Sequence, residues 1–205
     1  MNRLMTLIFV LFVAIFLTAC GTGNEEEMDT QNQENTSSES DLNNEEQAQE
    51  TNATLGEEVL VSLENTEGVV IGTATLTEKD SGVSIHLEAE NLPPGTHGFH
   101  IHEAGVCETP TFESAGSHYN PTGAKHGFDN PEGPHAGDLE NIVVSEDGTV
   151  NVEVIADMVT LKQGAENTLY TEEGTALIIH SDADDYISQP SGNAGDRIAC
   201  GVIGE

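Results

Sequence analysis

Six of the eight histidines in this 205-residue chain fall where a metal could use them. His100 and His102 stand two apart in Gly98-Phe99-His100-Ile101-His102. On an extended strand, positions i and i+2 project from one face, so the two imidazoles form a natural chelate for copper or zinc. Alone, such a pair is equally two surface histidines. The next stretch sharpens it: His118, His126 and His135 fall within 18 residues, and Asp138 follows in His135-Ala136-Gly137-Asp138. Gly and Pro surround them, which lets the backbone bend and gather the side chains. His180 then closes the apolar run Ala176-Leu177-Ile178-Ile179. Imidazole and carboxylate are the ligands that copper and zinc accept, and their number and grouping point to metal binding.

The elements around these residues read as β-structure. Val59, Val61 and Leu63 alternate with polar residues, as do Val83, Ile85, Leu87 and Ala89 with Ser84, His86, Glu88 and Glu90; this is the period of a half-buried strand. Gly68 to Thr77 is rich in Val, Ile and Thr, and short strands are expected at 142–144, 150–155, 175–179 and 198–203. Asn91-Leu92-Pro93-Pro94-Gly95 breaks one strand, and Asp147-Gly148 marks a hairpin turn. No long amphipathic helix is expected. Many short strands with turn signals predict an all-β antiparallel sandwich or barrel. Two long irregular stretches, about 104–138 and 181–196, are candidates for functional loops.

Composition bounds the rest. The chain has 5 Lys+Arg against 37 Asp+Glu, a net charge of −32, which excludes nucleic-acid binding through a basic surface. With no Trp, three Tyr and six Phe, the core must be built from small and β-branched residues. Residues 4–19 are almost wholly apolar, with Arg3 before them and Cys20 after. That run is short for a bilayer-spanning helix and reads as an export signal. Leu17-Thr18-Ala19-Cys20 resembles the bacterial lipobox, in which cleavage precedes a lipidated Cys; a plain signal peptide and a short membrane anchor are the alternatives. Residues 21–54 carry ten acids and no Lys, Arg or His, and read as a disordered acidic tether reaching roughly 30–35 Å as a flexible coil. Residues 55–205 are the folded domain, with 27 acids against Lys79, Lys125, Lys162 and Arg197, a net charge of −23.

The motifs GFHIH (98–102), SHYNP (117–121), KHG (125–127), PHAGDL (134–139), LIIH (177–180) and GNAGDRIACGVI (192–203) resemble, in order and spacing, the copper/zinc superoxide dismutases. The resemblance covers nearly all of 55–205 and implies a Greek-key β-sandwich, or flattened barrel, with two long functional loops. It implies copper ligands at His100, His102, His118 and His180, and zinc ligands at His118, His126, His135 and Asp138, with His118 shared. It further implies that Asp184 hydrogen-bonds His100 and His126, that His97 sits near the copper strand without being a ligand, and that Cys107 pairs with Cys200. His86 has no counterpart and is expected to face solvent. Arg197 is implied to orient superoxide beside the copper, and His118 to carry a proton in catalysis.

The implied activity is disproportionation of superoxide to O2 and H2O2. A non-catalytic surface module that buffers or delivers copper and zinc is the alternative, and a lost ligand or a lost Arg197 would favour it. The expected location is extracytoplasmic, with the protein held to a bacterial membrane through a lipid on Cys20. A homodimer is compatible with the apolar strands, which do not reveal which faces pair. Three departures from the family stand out: a longer stretch between Cys107 and His118, a short Lys-free segment between Asp185 and Gly192, and the strongly negative domain. Together they lead us to expect that the pull on an anionic substrate is weak and confined to Arg197.

Overall fold

Alternating apolar side chains organise residues 58–204, which are those the computed structural model describes. The expected signal segment, Cys20 and the tether lie outside them. Nine strands form: β1 Glu58–Asn65, β2 Val70–Lys79, β3 Gly82–Ala89, β4 Gly95–His97, β5 Phe99–His102, β6 Ile142–Val144, β7 Val150–Ala156, β8 Thr175–His180 and β9 Arg197–Ile203. Among the described residues there is no α-helix, only a 3-10 turn at Glu113–Ala115. Seven strands make one curled antiparallel sheet in the order β5-β8-β9-β1-β2-β3-β7, and β4 pairs with β6. Since β3 and β7 sit at one edge and β5 and β8 at the other, the chain crosses between edges three times. The first long loop lies in the second crossing, and the other, 181–196, joins the neighbouring strands β8 and β9.

The period-two pattern does what it should. Val61 and Leu63 of β1, Ala74 and Leu76 of β2, and Val83, Ile85, Leu87 and Ala89 of β3 are buried together, whereas Glu88 points to solvent. His86 stays on the outer face, with Nε2 3.0 Å from Asn151 Oδ1. The core is aliphatic apart from Phe99 and Tyr119, as a Trp-free chain requires. Each fully buried Leu or Ile contributes about 1.5–3 kcal/mol by leaving water. The Asp147-Gly148 turn also forms: Gly148 adopts φ +80°, and Asp147 Oδ1 accepts from the Thr149 hydroxyl at 2.7 Å. One element departs from expectation. After the break at 91–94 the chain returns at once to extended structure as β4. Three residues are too few to show a periodicity, and their pairing with β6 comes from main-chain bonding alone.

A second, smaller apolar cluster lies beneath the first long loop. Phe112, Ala115, Ala176, Ile178 and Cys200 are buried together, with Cys107 against them. Cys107 and Cys200 are bonded, 5.8 Å apart at Cα and 93 positions apart in sequence. The implied pairing is therefore present, and it pins the 104–117 segment to β9. A loop of that length corresponds to roughly 4–5 kcal/mol in the chain-entropy view. Replacing both Cys107 and Cys200 by Ser should lower the unfolding free energy by about 2–5 kcal/mol, read from urea titrations, with a steeper slope because the unfolded chain loses its cross-link. An unmoved midpoint would show that Phe112 and its neighbours hold the loop without the bridge.

Candidate metal centre

Edge strand β5 supplies the first two ligand candidates, and the long loop is laid along its free side. Ile101 N donates to Gly137 O, Tyr119 N to Ile101 O, and Gly137 N to Tyr119 O, each at 2.8 Å. This places His118 opposite His102 and Asp138 opposite His100. Gly137 is needed for the approach, since a Cβ there would fall 2.2 Å from Ile101 O. On the other side, β5 pairs with β8, and a register shift after Ile179 sets His180 opposite Arg197 at the start of β9.

Two clusters result, with ligand atoms within 4.8 Å of one another: His100, His102, His118 and His180 in the first, and His118, His126, His135 and Asp138 in the second. In the first, every ring is held by one nitrogen and bare at the other. His100 Nε2 lies 2.7 Å from Asp184 Oδ2, His102 Nδ1 3.0 Å from Gly116 O, His118 Nδ1 2.7 Å from Asp138 Oδ1, and His180 Nδ1 3.3 Å from Gly195 O. The opposite atoms, His100 Nδ1 and the Nε2 of His102, His118 and His180, are buried without a hydrogen-bond partner. An unpaired buried polar atom costs about 1–3 kcal/mol. Four such atoms converging, each ring fixed from behind, fit a metal ion that accepts imidazole nitrogens.

In the second cluster Asp138 organises the geometry. Its Oδ2 accepts from Gly127 N at 2.8 Å and His135 N at 2.9 Å, which aims Oδ1 at the Nδ1 atoms of His118, His126 and His135, at 2.7, 3.1 and 3.2 Å. A tetrahedral zinc with bonds of about 2.0–2.1 Å separates its ligands by about 3.3 Å, so three nitrogens and one oxygen at this spacing suit it. Asp184 joins the clusters, with Oδ1 3.0 Å from His126 Nε2 and Oδ2 on His100. Gly192, at φ +68°, leaves room for it; a Cβ there would overlap Asp184 Oδ1. His97 is buried nearby with Nδ1 2.8 Å from His180 O and carries no ligand atom to either cluster.

Two neighbours could not be read from residue type. Asn141 Nδ2 donates to Asp184 O and its Oδ1 accepts from Asp184 N, both at 2.9 Å, while Asn141 N donates to the Tyr186 hydroxyl at 2.7 Å. These contacts span more than forty residues and follow no local motif.

Burial sets the protonation states. It lowers His118 to about 4 and His180 to about 3, and holds His102 well below the ordinary value. Burial also lowers His100, overcoming Asp184. These rings are therefore neutral and able to ligate at neutral pH. His126 goes the other way: burial would lower it, but hydrogen bonds to Asp138 and Asp184 outweigh that and raise it to about 9. For Asp138 the upward push of burial is overcome by His118, His126 and His135, so it stays ionised.

A pocket of about 410 Å³ opens onto the first cluster, lined by His102, His118, His180, Pro190, Ser191 and Arg197 among others. The Arg197 guanidinium is half-buried, donating from Nη1 to Phe112 O and from Nη2 to Gly116 O at 2.6 Å. Two of its five donors thus fix its plane and others remain for a ligand. Among the described residues it is the only Lys or Arg in the pocket wall.

Residues 70–203 match the family model described as copper/zinc superoxide dismutase (SODC). The chain is 60% identical over 140 residues to superoxide dismutase [Cu-Zn] 2 of Aquifex aeolicus (strain VF5), spanning 68% of this chain and 82% of that one. It is 48% identical over 145 residues to a superoxide dismutase-like protein of Bacillus subtilis (strain 168), spanning 70% and 74%. Among solved structures, the SOD-like protein from Bacillus subtilis superposes with a TM-score of 0.69 at 47% identity, covering 70% of this chain and 97% of that one. The Cu/Zn superoxide dismutase from Brucella abortus superposes with a TM-score of 0.60 at 31% identity, covering 72% and 100%.

The raised His126 has a consequence for metal uptake. Below pH 9 the metal-free ring carries a proton that a metal at Nδ1 must displace. Zinc affinity of the second cluster should therefore climb about tenfold per pH unit from 7 to 9 and then level off. The first cluster, already neutral, should bind copper with no comparable slope. Calorimetry with each metal added alone, in buffers of different ionisation enthalpy, counts the released protons directly; equal release from both clusters would contradict the assignment.

Proposed function

Because the chain belongs to the copper/zinc superoxide dismutase family, and is an enzyme that disproportionates superoxide with copper and zinc, we propose that its two histidine clusters divide the metals between them. Copper goes to His100, His102, His118 and His180, and zinc to His118, His126, His135 and Asp138, with His118 common to both. The observation that carries this is the set of four unpaired nitrogens converging beneath the pocket, each backed by a hydrogen bond on the other side of its ring.

Bound copper supplies the one-electron exchange by which two superoxide anions and two protons become O2 and H2O2, and zinc supplies a fixed charge that holds the loop. The protein binds and orients. Arg197, with its plane set by Phe112 and Gly116, offers free N–H donors to an anion at the pocket floor; the planar fork of a guanidinium suits a diatomic anion better than an ammonium would. His118 Nε2 faces the pocket, so a proton held there can pass to the leaving product, while its Nδ1, 2.7 Å from Asp138 Oδ1, is the atom left for zinc. Asp184 holds His100 and His126 through one carboxylate, which fixes both clusters in one frame.

Attraction of the substrate rests on Arg197. Glu103 shares the pocket wall, and the segment 185–192 offers no cation. The second-order rate by pulse radiolysis should therefore fall little with added salt, or rise as the repulsive far field is screened. Arg197→Glu should cut the rate by roughly tenfold to a thousandfold with metal content unchanged. Ser188→Lys should raise the low-salt rate and introduce a decline with salt. A steep decline in the unmodified protein would show that its positive potential comes from elsewhere.

We also propose that the protein is exported and tethered outside the cytoplasm by a lipid on Cys20. Supporting this are the apolar run ending in Leu17-Thr18-Ala19-Cys20, the acidic spacer after it, and the Cys107–Cys200 bond, which belongs to an oxidising compartment. Cys20→Ser should abolish labelling by a fatty-acid analogue and leave an uncleaved or a released form; equal labelling of the variant excludes this site.

A further inference from the structure

We infer that Gln189 is a positioning residue for the zinc side: an exposed, uncharged side chain that latches the main chain of His126 from outside. The inference rests on the reading of His118, His126, His135 and Asp138 as the zinc ligands.

His126 is fully buried, its ring held between Asp138 at Nδ1 and Asp184 at Nε2. Those contacts set the tilt of the ring and leave the backbone of the residue to be held separately. Gln189 does this with one carboxamide. Its Oε1 accepts from His126 N at 3.1 Å, and its Nε2 donates to His126 O at 2.9 Å. Both main-chain groups of one residue are thereby engaged, as a neighbouring strand would engage them. The same Nε2 donates to Ile187 O at 3.0 Å, so the amide is oriented by its own loop.

That loop is stiff enough to present it. Asp185 Oδ1 accepts from Ile187 N at 3.1 Å and Ser188 N at 2.8 Å; Gly192 N donates to Ser188 O at 2.7 Å, and Asp185 N to Gly192 O at 2.9 Å. The turn from 185 to 192 is therefore closed on itself, and Gln189 reaches His126 from a preorganised base. Pro190 and Ser191, the next two residues, line the pocket above the copper ligands. The latch thus ties the position of a zinc ligand to the wall that a substrate passes.

The exposure of Gln189 separates positioning from folding. If its amide is removed, water can reach the freed groups of His126, so the fold should tolerate the loss while the ligand gains freedom. Removing a partner that orients a ligand typically lowers metal affinity 10–100-fold. A carboxylate at 189 keeps the acceptor for His126 N but sets an oxygen against His126 O.

The test uses the full-length protein with cobalt as a probe of the zinc side, read by its visible absorption and by competition with a chelator. Copper affinity and the melting temperature of the metal-free protein are measured alongside. Gln189→Ala should hold cobalt about tenfold to a hundredfold more weakly than the unmodified protein. Its copper affinity and melting temperature should stay near the original, and Gln189→Glu should be weaker still. Equal cobalt retention in the unmodified protein and Gln189→Ala overturns the latch alone. Parallel losses of cobalt, copper and melting temperature overturn it in favour of a general structural role. An unmodified protein that takes up no cobalt overturns the zinc-side reading and the latch with it.

Discussion

Four buried imidazole nitrogens converge with no protein group to bond, and much of the surrounding structure exists to hold them there. Left to themselves the rings would rotate toward water or toward one another. Each is prevented by a bond at its far nitrogen, two to carboxylates and two to backbone carbonyls. Burial keeps the rings neutral, so no charge pushes them apart. A cation is the partner that satisfies all four at once.

That arrangement draws its rigidity from two loops that hold each other. Asp184 belongs to the second loop, yet its backbone is fixed by Asn141, which follows the first, and its carboxylate reaches one imidazole from each cluster. Arg197 sits on β9 but is aimed by carbonyls of the disulfide-pinned segment. Position at the site is therefore set by contacts between distant parts of the chain, with the sheet as the common base. The buried charges are tolerated because they are paired: Asp138 meets three imidazoles and two amides, and Asp184 meets two imidazoles.

The sequence made much of this legible for specific reasons. Strands β1 and β3 show themselves because one face is buried and the other is not, so residue type alternates with orientation. His100 and His102 show themselves because strand periodicity converts a spacing of two into a shared face. The pairing of Cys107 with Cys200 and the role of Asp184 came from family likeness, since spacing alone does not tell one acid on an acidic loop from another. Strand β4 stayed hidden because three residues carry no period. Asn141, Tyr186 and Gln189 stayed hidden because their work is done by amide, hydroxyl and main-chain groups acting across more than forty residues, which leaves no local mark.

The placement of the ligand loop along β5 has a further effect. An edge strand exposes a row of main-chain donors and acceptors, and such a row invites strands from other molecules to dock and propagate into aggregates. Here β5 is the outermost strand of the seven, and residues Tyr119 and Gly137 take up the bonds of Ile101 on its open side. The same stretch of chain that carries His118 and Asp138 to the metals is also the guard rail of the sheet. Its hold on β5 thus covers this edge against strand docking as well as shaping the chemistry.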